Sequence, residues 1–193
     1  SRVKRYLSDV WTHHQGWTVE DEKKIMSTMP LTLQAEFAYL WKLPYIKKCP
    51  FFDFCSEEII KALALALKPL RFTAGDTIIQ YGDLGAEMYF VETGTVEVVS
   101  ADDKTVYCEL TAGSFFGETA LFFKQHRTAT IRACKFCEAL LLTKADLDKE
   151  LISREFDLSR MLGIFQDLQK SNNYRNAAMQ ANLKASLNEK SKL

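Results

Sequence analysis

The sequence predicts an α+β fold: several short strands, closing into a sandwich or rolled barrel, set between helical flanks. Three observations carry this. Glycine is zoned, with Gly16 alone in residues 1–68, six in residues 69–143 (Gly75, Gly82, Gly85, Gly94, Gly113, Gly117), and Gly163 alone after them. Glycine tolerates positive φ and punctuates turns, so the middle zone reads as strands joined by turns. The runs between those glycines are β-branched or aromatic and alternate in twos, while the flanks repeat apolar residues at helical spacing.

In chain order, Thr18 precedes Val19-Glu20-Asp21-Glu22, an N-cap with acids in the first turn, where the helix dipole favours them. Met29-Pro30 breaks that helix. The next begins near Thr32, with Leu33, Phe37 and Leu40 or Trp41 on one face, and Leu43-Pro44 is expected to interrupt it. Ser56 caps a third helix whose apolar positions Ile59, Ile60, Leu63, Ala64 and Leu67 form one stripe, ended by Lys68-Pro69. Strands are expected at Thr77–Tyr81, Met88–Val91, Thr95–Val99, Thr105–Leu110, Thr128–Ala133 and Glu138–Leu142, with Ala101-Asp102-Asp103-Lys104 as a hairpin turn. Thr143-Lys144-Ala145-Asp146 reads as a cap before Leu147 and Leu151, and Phe156, Met161, Leu162, Phe165 and Leu168 mark a further helix. Residues 172–193, rich in Ala, Asn and Lys, read as a frayed helix or disordered tail.

Composition narrows the function. With 47% hydrophobic residues the 193-residue chain can bury a full core. Its 25 basic and 25 acidic residues leave no surplus for a phosphate backbone, which argues against nucleic acid as a partner. No apolar run approaches the roughly 18 residues of a membrane span. The opening Ser1-Arg2-Val3-Lys4-Arg5 is charged and uncapped, so a fragment of a longer protein is expected. Cys49, Cys55, Cys108, Cys134 and Cys137 are odd in number and irregular in spacing; only Cys134 and Cys137 are close, in a stretch read as strand-like, so free, buried thiols in a reducing cytosol and no metal site are expected. His13, His14 and His126 read as solvated or packing residues, and Trp11, Trp17 and Trp41 as helix-packing residues.

The stretch that carries chemistry is Gly113-Ser114-Phe115-Phe116-Gly117-Glu118-Thr119-Ala120-Leu121, followed by Arg127-Thr128-Ala129. Backbone N–H groups entering a short helical turn after Gly117 favour an anion. Arg127, expected on the following strand, brings two more donors to it. Glu118 suits a hydroxyl rather than a phosphate. Anion donors, an arginine and one hydroxyl acceptor describe a ribose-phosphate pocket. No nucleophile–base pair or metal cluster is legible beside it, so no enzyme is predicted.

Two blocks of residues carry a family resemblance. The first is Ala74-Gly75-Asp76-x-Ile78-Ile79-x-x-Gly82-Asp83-x-Gly85-x-x-Met88-Tyr89-Phe90-Val91-x-x-Gly94-x-Val96-Glu97-Val98; the second is Phe116-Gly117-Glu118-x-Ala120-Leu121 with Arg127-Thr128-Ala129. At these spacings residues 69–143 resemble a cyclic-nucleotide-binding domain. The resemblance implies an antiparallel, jelly-roll-like β-roll of about eight strands with flanking helices. It implies cAMP or cGMP as regulatory ligand, with Arg127 on the cyclic phosphate and Glu118 on the ribose 2′-hydroxyl. Phe116, Gly117, Thr119, Ala120 and Ala129 then line the cassette, and Thr128 adds a hydroxyl near phosphate and purine. Phe165, Leu168, Gln169 and Asn172 become candidates for a closing helical lid. Asn172 rather than an acid at the lid position leans toward cAMP, with Asp167 close by.

Residues 2–48 resemble the C-linker of cyclic-nucleotide-gated, hyperpolarisation-activated and EAG-type channels through Val3-Lys4, Trp11, Gln15-Gly16, Glu20, Met29-Pro30, Leu33 and Glu36. EAG-type channels usually lack the pocket Glu and Arg that this chain has. The organisation implied is an all-helical C-linker over 1–48, truncated at its start, a binding domain over 49–171 and a tail over 172–193. The expected function is a cytoplasmic sensor joined to the transmembrane part of its own polypeptide, gating an ion channel as a homo-tetramer assembled through the C-linker. A sodium/proton exchanger sensor, a degenerate non-binding domain and a transcription regulator are the alternatives.

Overall fold

The computed structural model describes residues 27–122 and 125–152, together with Thr12, Lys24, Ile25, Gly163 and Lys170. The chain divides into two units, Ser1–Phe156 and Asp157–Leu193. The architecture below belongs to the first; in the second, the described Gly163 and Lys170 are helical. Residues 2–11, 13–23 and 26 of the region resembling a C-linker (Trp11, His13, His14 and Trp17 among them), the lid candidates Phe165, Leu168, Gln169 and Asn172, and the tail 172–193 lie outside the described residues.

Helix α1 spans Leu31–Ile46, with Pro30 at its N-cap, after the break expected at Met29-Pro30. The interruption expected at Leu43-Pro44 does not occur: α1 runs through Pro44 to Ile46. Proline forfeits one backbone bond and crowds the preceding turn. Placed in the last turn it disturbs little downstream, and Lys47 N–H closes onto the Leu43 carbonyl at 3.0 Å. A 3-10 turn, Pro50–Phe52, leads to α2, Glu57–Ala66. Ser56 caps α2 as expected, its hydroxyl accepting from Ile59 N–H at 3.4 Å, and Ile59, Ile60, Leu63, Ala64 and Leu67 are all buried. At its other end Lys42 of α1 donates to the Ala64 and Leu67 carbonyls at 2.8 and 2.7 Å. A cation there satisfies orphan carbonyls and complements the helix dipole, so it ties α1 to α2.

Eight strands follow among the described residues: β1 Lys68–Phe72, β2 Thr77–Ile79, β3 Glu87–Thr93, β4 Thr95–Val99, β5 Val106–Thr111, β6 Phe115–Phe116, β7 Thr130–Ala133 and β8 Cys137–Thr143. They form two antiparallel four-stranded sheets, ordered β1-β8-β3-β6 and β2-β7-β4-β5. This is the two-sheet roll with flanking helices that the sequence implied. The hairpin turn falls at 101–104, with Ser100 N–H bonded to the Thr105 carbonyl at 2.8 Å and Asp103 at φ 56°. Strand β1 had no counterpart in the sequence reading; its Pro69 is tolerated because β1 is an edge strand pairing only with β8. The five-residue helix α3, Glu118–Phe122, links β6 toward β7, and α4, Lys144–Ile152, follows β8. Thr143 and Asp146 form the expected cap of α4, Asp146 N–H donating to Thr143 Oγ1 at 3.1 Å and Thr143 Oγ1 to Asp146 Oδ2 at 2.7 Å.

The period of two sets the layers. Tyr89 and Val91 of β3 point between the sheets, joining Ile79, Val96, Phe116, Ile131, Ala133, Cys137 and Ala139 in one core. The alternate residues Met88 and Phe90 are equally buried. Phe90 meets Phe52 and Phe115 at ring-centroid distances of 6.4 and 6.5 Å, and Phe115 meets Phe51 at 6.3 Å. The first sheet is therefore covered on its second face by the helical segments. Leu147 and Leu151 of α4 are each 1% exposed, contributing about 1.5–3 kcal/mol apiece by burial.

All five cysteines are free, as expected, but only Cys49 and Cys137 are buried; Cys55 is half-buried, and Cys108 and Cys134 are exposed. Cys137 opens β8, whereas Cys134 sits in the turn between β7 and β8 rather than in a strand. Burial pushes the Cys137 thiol up to about 12 and Cys55 to about 11, and raises Cys49 well above the ordinary thiol range. In native buffer near pH 8, the exposed Cys108 and Cys134 should react first with a chromogenic disulfide reagent, and Cys49 and Cys137 only on unfolding. Rapid titration of Cys137 in the native state, located by peptide mapping, would contradict this packing.

Candidate functional site

The site is built where two loops meet α3. The first loop, residues 80–86, joins β2 to β3; the second, residues 125–129, leads into β7. They are zipped together by Gly82 N–H on the Arg127 carbonyl at 3.0 Å, Arg127 N–H on the Asp83 carbonyl at 2.8 Å, and a Leu84–His126 bridge. His126 is exposed and its Nδ1 lies 2.7 Å from the Gly82 carbonyl oxygen, a loop-packing contact. Thr130 Oγ1 accepts from Tyr81 N–H at 3.0 Å and fixes the same junction.

Arg127 was expected on a strand running from Thr128; β7 instead starts at Thr130, and Arg127 lies in the segment before it. The reason is that its main chain is spent on the 80–86 loop rather than on a ladder. Its side chain turns inward and is 5% exposed. Nη1 donates to the Gly117 carbonyl at 3.1 Å; Nη2 donates to the Glu87 carbonyl at 3.0 Å and to Glu87 Oε1 at 2.8 Å. Buried charge is tolerated only when paired and hydrogen-bonded, and these contacts supply both.

Two glycines make the room. A Cβ on Gly85 would fall 2.1 Å from the Arg127 Cζ and Nε. Gly117 has φ +81°, and a Cβ there would lie 2.9 Å from Arg127 Nη1 and 3.1 Å from the Glu87 carbonyl oxygen. Gly117 is therefore fixed twice, by backbone conformation and by the guanidinium. Phe116 anchors the approach, stacked on Tyr89 at 5.1 Å with an interplanar angle of 13°. Glu118 opens α3, half-buried. Burial raises its carboxyl pKa, opposed by hydrogen bonds from its own backbone and the Thr119 side chain and by the Arg127 charge.

The structure thus brings Phe116, Gly117, Glu118, Thr119 and Arg127 into one cluster. Ala120 lies within α3, and Thr128 (exposed) and Ala129 (half-buried) follow Arg127. Glu87 was missed by sequence reasoning, although it stands two residues after Gly85. No composition or periodicity signal marks it, because its role depends on a partner 40 residues away. Chemically, the cluster offers a guanidinium with donors to spare, a carboxylate able to accept from a hydroxyl, and a turn of backbone N–H groups. Among the described residues no group of three or more His, Cys, Asp or Glu is placed to hold a metal, and no helix is long and apolar enough to cross a membrane. A cavity of about 510 Å³ lies elsewhere, between α1, the end of α2 and the β1–β8 edge, with Phe37, Trp41, Tyr45 and Leu140 among its walls and no residue of the Glu118–Arg127 cluster.

Comparison with known proteins locates the same region. Residues 69–154 match the family model described as the cyclic nucleotide-binding domain. The chain is 33% identical over 168 residues to the cyclic nucleotide-gated channel alpha-2 of Bos taurus, covering 84% of this chain and 25% of that protein. It is 35% identical over 157 residues to the cyclic nucleotide-gated channel cone photoreceptor subunit alpha of Gallus gallus, covering 78% and 21%. With the cyclic nucleotide-gated channel alpha-3 of Homo sapiens identity is 34% over 157 residues, covering 78% and 22%. The chain therefore spans about a quarter or less of the length of these relatives.

The raised Glu118 pKa makes a prediction about the ligand-free chain. A carboxyl whose folded pKa lies above its unfolded value is bound to a proton more tightly when folded, so stability falls as pH rises through the folded value. Above the folded value the charged carboxylate is a burden on the fold. Glu118→Gln should therefore raise the melting temperature at pH 7, with the gain shrinking as pH is lowered into the carboxylate range. Thermal melts at several pH values check this; a lower melting temperature for the variant at pH 7 would contradict it.

Proposed function

Residues 69–154 belong to the cyclic nucleotide-binding domain family, and from that premise we propose that the chain is the cyclic-nucleotide sensor of a membrane ion channel. The observation that carries the proposal is the buried guanidinium of Arg127, held at the mouth of α3 beside the half-buried carboxylate of Glu118. Arg127 takes the cyclic phosphate, backbone N–H groups of the Gly117–Ala120 turn share it, and Glu118 accepts from the ribose 2′-hydroxyl. Phe116 and Ala129 shape the cassette, and Thr128, exposed beside Arg127, faces phosphate and purine. The family resemblance assigns the closing lid to Phe165, Leu168, Gln169 and Asn172, which lie outside the described residues. The ligand is bound, not transformed. cAMP is preferred to cGMP on the ground that the lid position carries Asn172 rather than an acid.

Residues 1–48 act as the C-linker, 49–171 as the binding domain and 172–193 as a tail, on the cytoplasmic side of the membrane. Four copies assemble through the C-linker in the full protein. The channel output is favoured over an exchanger because the relatives named above are gated channels. A ligand moves such an equilibrium only by its differential affinity for two states. Packed contacts offer a route: Phe116 and Phe115 follow one another in β6, Phe115 packs on Phe51 ahead of α2, and Lys42 binds the end of α2 from α1.

Calorimetric titration of the chain with cAMP and with cGMP tests this, with Arg127→Ala in parallel. Saturable binding is expected, weakened in the variant by on the order of 1.5–3 kcal/mol, or roughly ten- to a hundredfold. The nucleotide ratio measures selectivity. No heat and no thermal stabilisation by either nucleotide at millimolar concentration would refute a sensing role.

A further inference from the structure

Glu87 opens β3, and its contacts bear on the regulation of the site read above as a nucleotide sensor, a reading on which this inference rests. Among the described residues Arg127 makes three side-chain hydrogen bonds, one to Gly117 and two to Glu87. A guanidinium carries five N–H donors in a rigid planar fork. The two left over are Nε–H and one hydrogen of Nη1. These do not share an edge of the plane, so they cannot grip one anion together. A two-pronged grip on a phosphate uses neighbouring donors, either Nε with Nη2 or Nη1 with Nη2. Both of those edges run through Nη2, and Glu87 takes Nη2 twice, with its carbonyl at 3.0 Å and its carboxylate at 2.8 Å. The carboxylate is itself held in place, because its other oxygen accepts from Ala86 N–H at 2.9 Å.

We propose that Glu87 is an internal competitor for the cyclic phosphate. Its carboxylate occupies the guanidinium edge that the phosphate takes, and the nucleotide binds by exchanging that ion pair for its own. Exposure sets the direction of the exchange. The Glu87 side chain is 34% exposed and the Arg127 side chain 5%, so the carboxylate can withdraw into water while the guanidinium stays where the ligand meets it. Glu87 thereby lowers the affinity of the site and keeps Arg127 paired, not orphaned, when the site is empty. It is an affinity-setting residue, acting through Arg127.

The test is titration of the whole chain with cAMP and cGMP for the native sequence, Glu87→Gln and Glu87→Ala, each also melted without ligand. Glutamine keeps the shape and an oxygen for Nη2 but removes the charge; alanine removes both, and either variant that melts like the native chain serves. Tighter binding by about three- to tenfold is expected, the scale of one partly exposed ion pair. Combined with Arg127→Ala, Glu87→Gln should bring no gain. Unchanged or weaker binding by a well-folded Glu87 variant overturns the competition while leaving the sensor reading intact. An equal gain without Arg127 also overturns it, since direct repulsion would then be the cause. Binding by the variants but not by the native chain supports it. No binding by any of them overturns the sensor reading and the inference together.

Discussion

Burying the Arg127 guanidinium is the constraint on which the local structure depends. A charge at 5% side-chain exposure needs acceptors, and here they are two main-chain carbonyls and one carboxylate, drawn from the entrance to α3 and the start of β3. Those acceptors fix where α3 begins and how far the 80–86 loop approaches it. They also dictate glycine at 85 and 117, where a Cβ would strike the guanidinium or its carbonyl partner. Gly85, Glu87, Gly117 and Arg127 therefore form one mechanical unit, although 42 positions separate its ends in sequence.

That unit needs a rigid support, and β3 provides it. Glu87 is the first residue of a strand whose next four side chains are all buried. Such double-sided burial is available only to a strand with a layer on each face. The second sheet covers Tyr89 and Val91; the helical segments cover Met88 and Phe90. The Tyr89–Phe116 stack then carries the rigidity across to β6, one residue before Gly117. Side chains of β3 and β6 thereby connect the helical segments, the sheet and the site.

What was legible in the sequence follows the reach of each signal. Glycine zoning and period-two runs revealed the strands β2 to β5, β7 and β8, and the apolar stripe of α2 was readable because helical periodicity is local. Strand β1 was hidden by Pro69 and Arg71, residues that deplete strand patterns; the edge position accommodates the proline, and the Arg71–Glu138 pair at 2.9 Å accommodates the charge. Strand β6 is too short to show a period. Pro44 looked like a stop because propensity ignores position, and in the final turn a lost bond costs little. The motif read as an anion site singled out Gly117, Glu118 and Arg127, which the fold brings together, but the backbone path of Arg127 depends on the Asp83 and Gly82 contacts, which are not local. The same holds for Glu87.

The places where the fold works against its own stability are the places where the site is. Glu118 holds a carboxyl whose pKa burial has raised, and Gly117 adopts a backbone conformation closed to other residues. Arg127 keeps two donors uncommitted inside the protein. None of these choices improves packing, and a sequence selected for stability alone would remove each of them. The proposed ligand answers two of them: its phosphate takes the guanidinium edge that Glu87 holds, and its ribose hydroxyl takes the Glu118 carboxylate. On the proposed reading, a phosphate fused to a ribose meets the guanidinium and the carboxylate together, so these separate local features act as one site.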